Sequence, residues 1–457
     1  MQERERFSSR FGFIIVSIGC AVGLGNLWLM PFRVGNYGGG LYILLFVIFA
    51  LILAIPGLTA EYAVGRGSGQ TIITQHKVLQ PKNKKWRMAG YLGMAGNYFL
   101  SMFYTTIVGF CLAYLFMAVT GALNGLDAAG STATFAALTG NPVSTVGWTV
   151  AVSLIAFAIC FLGLQKGVER IGKIMMMTFF ALLIILIIRS VTLPGAGEGL
   201  AFMFIPKWTE PVERHGFFTI LHAAMGQALF SLSVGMGGMS VFGSYLKKER
   251  TLLKEAGTVG FCDILASILC CMMIFPAAFA FGIPVSAGSG LLFIVMPTVL
   301  NAMPATYFWA VLLYISFFFL AMSTLFGIYE NIIAICMDKF GWSRKKSTRN
   351  NVIVILILSL PAALGFNVLN HIRLLDNQTF SGVLTFLVSD NIMPIGALLY
   401  ILFCSHKWGW GWDNFIAEVN SGDGLKFPRS LRFYFGYVLP IAVTFIYVFG
   451  LINRFIL

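Results

Sequence analysis

The chain has 457 residues, of which 58% are hydrophobic and 11% charged, where an average soluble protein carries about 25% charge. Most of its surface therefore cannot face water, and a soluble globular protein is excluded. Its 31 Lys and Arg against 18 Asp and Glu give a net charge of +13. In a chain this apolar, such an excess reports the loops that orient a membrane protein rather than a nucleic-acid surface.

A bilayer core about 30 Å thick takes roughly 20 apolar residues per helix. Eleven candidate spans occur in chain order, at 11–34, 41–64, 89–120, 145–163, 170–190, 215–243, 256–284, 305–338, 350–367, 380–403 and 433–454. The fold predicted is an all-α polytopic membrane protein of about 11 transmembrane helices. Its organisation is a cytoplasmic N-terminal segment at 1–10, a first five-helix repeat at 11–190 and an extracellular connection at 191–214. A second five-helix repeat at 215–403, a cytoplasmic loop at 404–432 and an eleventh helix with the C-terminus at 433–457 complete it. The opening MQERERFSSR runs directly into an apolar segment without a small-residue cleavage site, so a removed signal peptide is not expected. Placing the N-terminus inside puts 25 of the 31 basic residues in inner loops and leaves only Arg33, Arg189, Lys207, Arg214, Arg373 and Arg454 outside. That asymmetry predicts a cytoplasmic N-terminus and, with an odd number of spans, an external C-terminus. The compact loops suit a bacterial inner membrane, and Asn377-Gln378-Thr379 reads as a chance glycosylation sequon.

The first and sixth spans each carry a glycine-rich interruption. The cores Ala21-Val22-Gly23-Leu24-Gly25 and Ser233-Val234-Gly235-Met236-Gly237 match in pattern, and each opens a block of five spans. Unwinding a helix at membrane depth frees amides and carbonyls that lipid cannot satisfy, so a break persists only where ions, water or substrate take those bonds. Freed carbonyls suit a sodium ion and exposed helix N-termini suit a carboxylate. Two matched breaks in corresponding positions point to a 5+5 inverted-repeat transporter with a midplane site.

Four acids fall within the spans, Glu61, Asp263, Glu330 and Asp390, and a charge there is costly enough to mark function. Asp263 is the expected ion ligand, because the seventh span can pass beside the broken sixth. Glu61 can equally bond freed backbone amides, and Glu330 and Asp390 can line water-filled cavities. Ser323 and Thr324 offer adjacent hydroxyls to a hard cation. The cysteines, Cys20, Cys111, Cys160, Cys262, Cys270, Cys271, Cys336 and Cys404, lie in or beside apolar runs and read as packed free thiols. No filter-like repeat supports a channel. The histidines His76, His215, His222, His371 and His406 are scattered without metal spacing, which argues against a membrane enzyme.

The stretches GCAVGLGNLWLMPFRVGNYGGG, IPGLTAEYAVGRGSG, KGVERIGK, GQALFSLSVGMGG and FPAAFAFG together resemble the neurotransmitter:sodium symporters, in particular the short bacterial members with eleven spans and a LeuT-like fold. The resemblance implies two sodium ions beside the substrate. The first would be held by the Ala21 carbonyl, Asn26, Ser231, Asp263 and the substrate carboxylate, with the fixed charge of Asp263 standing in for chloride. The second would be held by the Gly19, Val22 and Leu320 carbonyls with the Ser323 and Thr324 hydroxyls. The substrate would present its carboxylate to the Leu24 and Gly25 amides, because Gly23 stands where monoamine carriers of the family place Asp. The substrate-binding set it implies is Cys20, Ala21, Gly23, Leu24, Gly25, Leu100, Tyr104, Phe230, Ser231, Ser233, Met236, Thr324 and Ile328. No unpaired charge is among them, which implies a neutral, hydrophobic or aromatic amino acid as partner. The inner gate would be Arg4 with Asp338, helped by Phe7, Ser244 and Tyr245, and the lid Tyr104 and Phe230. The family's charged outer pair is expected to be missing, with Leu29 and Gln378 in its places. The implied function is a sodium-coupled symporter working by alternating access. The alternatives are a carrier of another carboxylate-bearing substrate or a non-transporting sensor of the same fold. Beyond the lipid bilayer and a small substrate no partner is implied, nucleic acid is not, and the oligomeric state is left open.

Overall fold

The computed structural model describes residues 7–283 and 291–455. Helices account for most of them, and among the described residues there are two isolated bridges and no strands. Among the described residues, nine helices are long and apolar enough to cross a bilayer: Gly40–Ser68, Lys84–Val119, Pro142–Phe161, Leu164–Val191, Leu252–Ala280, Thr306–Phe340, Arg344–Leu364, Phe380–Ser405 and Arg429–Asn453. A tenth span is a bent pair, Arg10–Ala21 and Gly25–Asn36, which meet at 49°. The sixth predicted span is also in two pieces, Phe217–Ser231 and Gly238–Gly243, separated by non-helical residues 232–237. We number the helices by the predicted spans they occupy.

The two breaks are built differently. In the sixth helix Ser233, Gly235 and Gly237 have φ of 53°, 109° and 71°, a left-handed region in which a residue other than glycine is uncommon. In the first helix Val22 adopts an extended backbone, and no residue between Val22 and Gly25 enters the left-handed region. The chain resumes there as a wide π turn over Gly25–Leu29. Similar wide turns interrupt other spans at Ala50–Ala54, Leu164–Glu169, Phe386–Ile392 and Tyr434–Val438. Such turns insert a residue into the helix and offset every side chain beyond them.

The first helix lies at the centre, packed on the fifth, seventh and eighth, while the third runs along the eighth. The second helix crosses the break in the sixth closely enough that a Cβ on Gly65 would collide with the Ser240 carbonyl. Apolar side chains such as Leu51, Ile184, Phe261, Ile357 and Ile441 stay exposed on the outer faces, as required where lipid is the solvent. All eight cysteines are free. The connection at 191–214 carries two short helices, Ala196–Phe204 and Thr209–His215. On the predicted inner side, helices Ile72–Leu79 and Trp412–Val419 lie across the ends of the spans. His76 on the first of these is packed against Trp86 and Phe403, and burial pushes its imidazole down to about 4.

Candidate functional site

Two clusters of oxygen atoms flank the first break. In one, the Asn26 side-chain amide donates to Asp263 Oδ1 at 2.7 Å, Ser267 Oγ at 2.8 Å and Ser231 Oγ at 2.9 Å. Ser231 in turn donates to Asp263 Oδ2 at 2.6 Å, and the Asn26 side-chain carbonyl oxygen accepts from the Gly23 amide at 3.0 Å. All four side chains are fully buried. A carboxylate, two hydroxyls and an amide in one buried spot form the hard, oxygen-rich donor set that a small cation seeks. Rotating the Asn26 amide half a turn would present its own oxygen to the same point. Ser267 was not expected at this site; it lies one turn after Asp263, and only three-dimensional packing identifies it.

The other cluster lies below the break. Ser323 Oγ donates to Gly19 O at 3.0 Å and Leu320 O at 2.8 Å, and Thr324 Oγ1 donates to Gly19 O at 2.9 Å and Val22 O at 3.3 Å. Three carbonyls and two hydroxyls therefore converge from the first and eighth helices. All five are atoms named from the sequence for a second cation.

Between the clusters is a cavity of about 20 Å³, lined by Cys20, Ala21, Gly23, Leu24, Gly25, Leu100, Tyr104, Phe230, Ser233, Met236, Thr324 and Met393. The Tyr104 hydroxyl accepts from the Leu24 amide at 3.2 Å and so occupies the position a carboxylate would take. Two expectations are corrected here. Ile328 is buried one turn beyond Thr324 and does not line the cavity, and Ser231 belongs to the Asp263 cluster instead of the cavity wall. Met393, from the tenth helix, was missed; a methionine before Pro394 in an apolar run carries no polar signal.

The intramembrane acids separate by their partners. Glu61 accepts from the Gly235 amide and faces the amides of Gly237, Met239 and Ser240, so it takes bonds that the sixth-helix break releases. Glu330 is paired with Arg344 at 2.7 and 2.8 Å and accepts from Tyr245 at 3.3 Å, so its charge is met by an ion pair. Arg4 is outside the described residues. Asp338 accepts from the Thr71 amide at 2.7 Å, and Ser244 bonds back to its own helix. Phe7 packs on Phe13, Phe242 and Tyr245 at centroid distances of 5.7 to 6.3 Å, forming an aromatic plug at the predicted inner end. Two further charged contacts close that end, Arg66 with Glu418 at 2.7 Å and Arg10 with Glu255 at 2.9 Å.

The outer pair also needs correction. Gln378 is not in a span; it lies in the turn before the tenth helix, where its carbonyl accepts from the Leu374 amide at 2.9 Å. The residue of that helix that reaches the first is Asp390, carried toward it by the wide turn Phe386–Ile392. Its partner is Arg33, one turn beyond Leu29, at 3.9 Å. Arg33 also donates to Ala223 O at 3.1 Å and Gln227 Oε1 at 3.3 Å, which ties the outer halves of the first, sixth and tenth helices together. A charged outer pair therefore exists, with Arg33 one turn beyond Leu29 and Asp390 twelve residues beyond Gln378.

The profile of the sodium:neurotransmitter symporter family matches residues 4–134 and 139–455. The chain belongs to that family. Among curated relatives of this symporter, an uncharacterized sodium-dependent transporter of Bacillus subtilis, YhdH, is 31% identical over 98% of both chains. A second uncharacterized sodium-dependent transporter, from Haemophilus influenzae, is 28% identical over 98% of this chain and 99% of its own. Among solved structures, MhsT in complex with L-phenylalanine superposes with a TM-score of 0.90 at 32% identity, covering 98% of this chain and 100% of that one. The symporter is thus a sodium-dependent multi-pass membrane transporter with the LeuT-like fold, and not an enzyme.

Proposed function

We propose that this symporter couples inward sodium movement to uptake of a neutral, hydrophobic or aromatic amino acid, with one sodium in each oxygen cluster. The observation that carries the reading is the small cavity between the clusters. Its lining is mostly apolar with Tyr104, Ser233 and Thr324 as the hydroxyl-bearing members, Gly23, Leu24 and Gly25 of the first break contribute to it, and no charged side chain lines it. A substrate entering it must bring its own carboxylate, and the Leu24 amide with the Asn26, Ser231 and Asp263 cluster beyond is the polar end to receive it. A neutral side chain would then lie against Leu100, Phe230 and Met236. The phenylalanine bound to MhsT is of this class.

Uptake would proceed by alternating access, with Arg33 and Asp390 closing the outer side and the Phe7 plug with Arg66 and Glu418 closing the inner one. The basic-residue asymmetry supports a cytoplasmic N-terminus and an external C-terminus in the bacterial plasma membrane, and the paired breaks support two five-helix halves. The test is thermal stability of the purified protein with alanine, leucine, phenylalanine and tryptophan, each with and without sodium, followed by flux in proteoliposomes under a sodium gradient. The reading predicts sodium-dependent stabilisation by the apolar amino acids and their accumulation against a gradient. Stabilisation without flux would mark a sensor, and no stabilisation by any of them would refute the substrate class.

A further inference from the structure

We propose that Met393 on the tenth helix sets the size limit for the substrate side chain. The inference rests on the cavity being the substrate site, and adds a determinant from a helix that neither break belongs to. Met393 lines that cavity and is 1% exposed; among the described residues it is the one lining side chain that the tenth helix supplies.

Its placement is enforced by backbone contact. Gly235 sits at φ +109° in the sixth-helix break, and a Cβ there would collide with the Met393 carbonyl and stand 2.8 Å from Met393 Cα. One turn later, a Cβ on Gly396 would collide with the Gly235 carbonyl. The tenth helix is therefore pressed onto the break over two successive contacts, and Met393 cannot be withdrawn from the cavity by sliding the helix. The wide turn Phe386–Ile392 ends directly before it. An inserted residue rotates the remainder of the helix by about 100° relative to an uninterrupted one, so this turn decides that Met393 faces the cavity.

The cavity volume assigns the role. About 20 Å³ is room for about one water, far less than an amino acid occupies, so an amino-acid substrate enters only by displacing a wall. Tyr104 yields the Leu24 amide to the substrate carboxylate, which leaves the side-chain end of the cavity, where Met236 is packed on the third helix and a Cβ on Gly96 would stand 3.3 and 3.4 Å from its Cγ and Sδ. The Met236 carbonyl is also fixed, accepting from Asn97 at 3.0 Å. Met393 is the remaining unbranched, flexible liner, and a thioether yields by rotamer change with no movement of backbone.

The test uses the full-length chain in detergent, with sodium-dependent affinities for alanine, leucine, phenylalanine and tryptophan. Met393→Ala is expected to raise affinity for tryptophan relative to leucine at least tenfold, and Met393→Phe to shift it toward alanine by a similar factor. Met393→Leu, close in volume but branched, preserves folding and is expected to weaken tryptophan binding while leaving leucine within threefold. The sodium concentration for half-maximal stabilisation without substrate stays unchanged in all three. An unaltered order and ratio of affinities in these variants, with sodium response intact, overturns the assignment of Met393 alone. A wild-type protein that binds none of the four overturns the substrate reading and this inference with it.

Discussion

Gly23→Ala is a small change with a large expected effect, because of what stands around it. A Cβ at Gly23 would lie 2.5 Å from Thr324 Oγ1 and 2.9 Å from the Tyr104 hydroxyl, both well inside van der Waals contact. Thr324 is the stiffer of the two, being β-branched, and its hydroxyl is held by Gly19 O at 2.9 Å and Val22 O at 3.3 Å. The added methyl forces that hydroxyl out of the lower oxygen cluster. Removing one of the five oxygens gathered there, valued at about 1.5 kcal/mol as a single contact to a charged group, corresponds to a roughly tenfold weaker sodium response, at about 1.4 kcal/mol per tenfold. Gly25→Ala is the control. Its Cβ would meet the Phe230 ring at 2.8 and 2.9 Å, the edge of a side chain outside both clusters, so substrate affinity should fall while the sodium response of the substrate-free protein holds. Thermal shift against sodium concentration measures both. A Gly23→Ala protein whose half-saturation lies within threefold of wild type would refute the claim that Thr324 joins the cavity to the lower cluster.

Other substitutions probe other parts of the site. Asp263→Asn keeps the shape but removes the buried charge, and should weaken sodium-dependent substrate binding by at least tenfold; undiminished binding would remove Asp263 from the first ion site. Arg33→Gln and Asp390→Asn should each speed substrate release to the outside. The double variant should be no faster than either, with a coupling of about 0.5–1 kcal/mol for a part-exposed pair, and additive rates would show that the two do not act together. Glu418→Gln removes the negative charge beside a guanidinium that is 2% exposed and leaves it neutral acceptors, the new side-chain amide oxygen, the Arg250 and residue-418 carbonyls and the Ser421 hydroxyl. A cost of about 3 kcal/mol is expected for breaking one member of a buried pair, read as a lower melting temperature, and an unchanged melting temperature would argue against a clasp there.

The sequence carries the spans plainly, since each is a long apolar run, and it carries the breaks because glycine is the residue that tolerates a left-handed backbone, as at Gly235 and Gly237. The two oxygen clusters were legible for a related reason. Their oxygens come from polar side chains conspicuous in an apolar chain, such as Asn26 and Asp263, or from carbonyls at or just before the break, with Leu320 O of the eighth helix beside Ser323. The features that stayed hidden depend on azimuth. A wide turn has no composition of its own, so the sequence did not show that Phe386–Ile392 would direct Asp390 to the first helix and Met393 to the cavity. Ser267 was hidden likewise, as one serine among many that bond within their own helices. Arg66 and Glu418 are 352 residues apart, and nothing local in either segment announces the other.

The compactness of the site bears on how transport would be coupled. Residues 19–26 supply carbonyls to the lower cluster through Gly19 and Val22, a wall to the cavity through Gly23, Leu24 and Gly25, and a side chain to the upper cluster through Asn26. Thr324 donates to the first of these and stands at the wall of the second. On the proposed reading, ion and substrate therefore act on one short stretch of backbone, and neither needs a relay through the bundle to bias the other. Because such coupling is reciprocal, a substrate that orders this stretch must raise sodium affinity by the same factor that sodium raises its own. The outer pair adds a direction to this effect. Asp390 lies one turn before Met393 on the tenth helix, so a substrate that settles against Met393 and the sixth-helix break favours the arrangement in which Asp390 meets Arg33. Closure above the site would then result from occupancy below it, with the tenth helix linking the two.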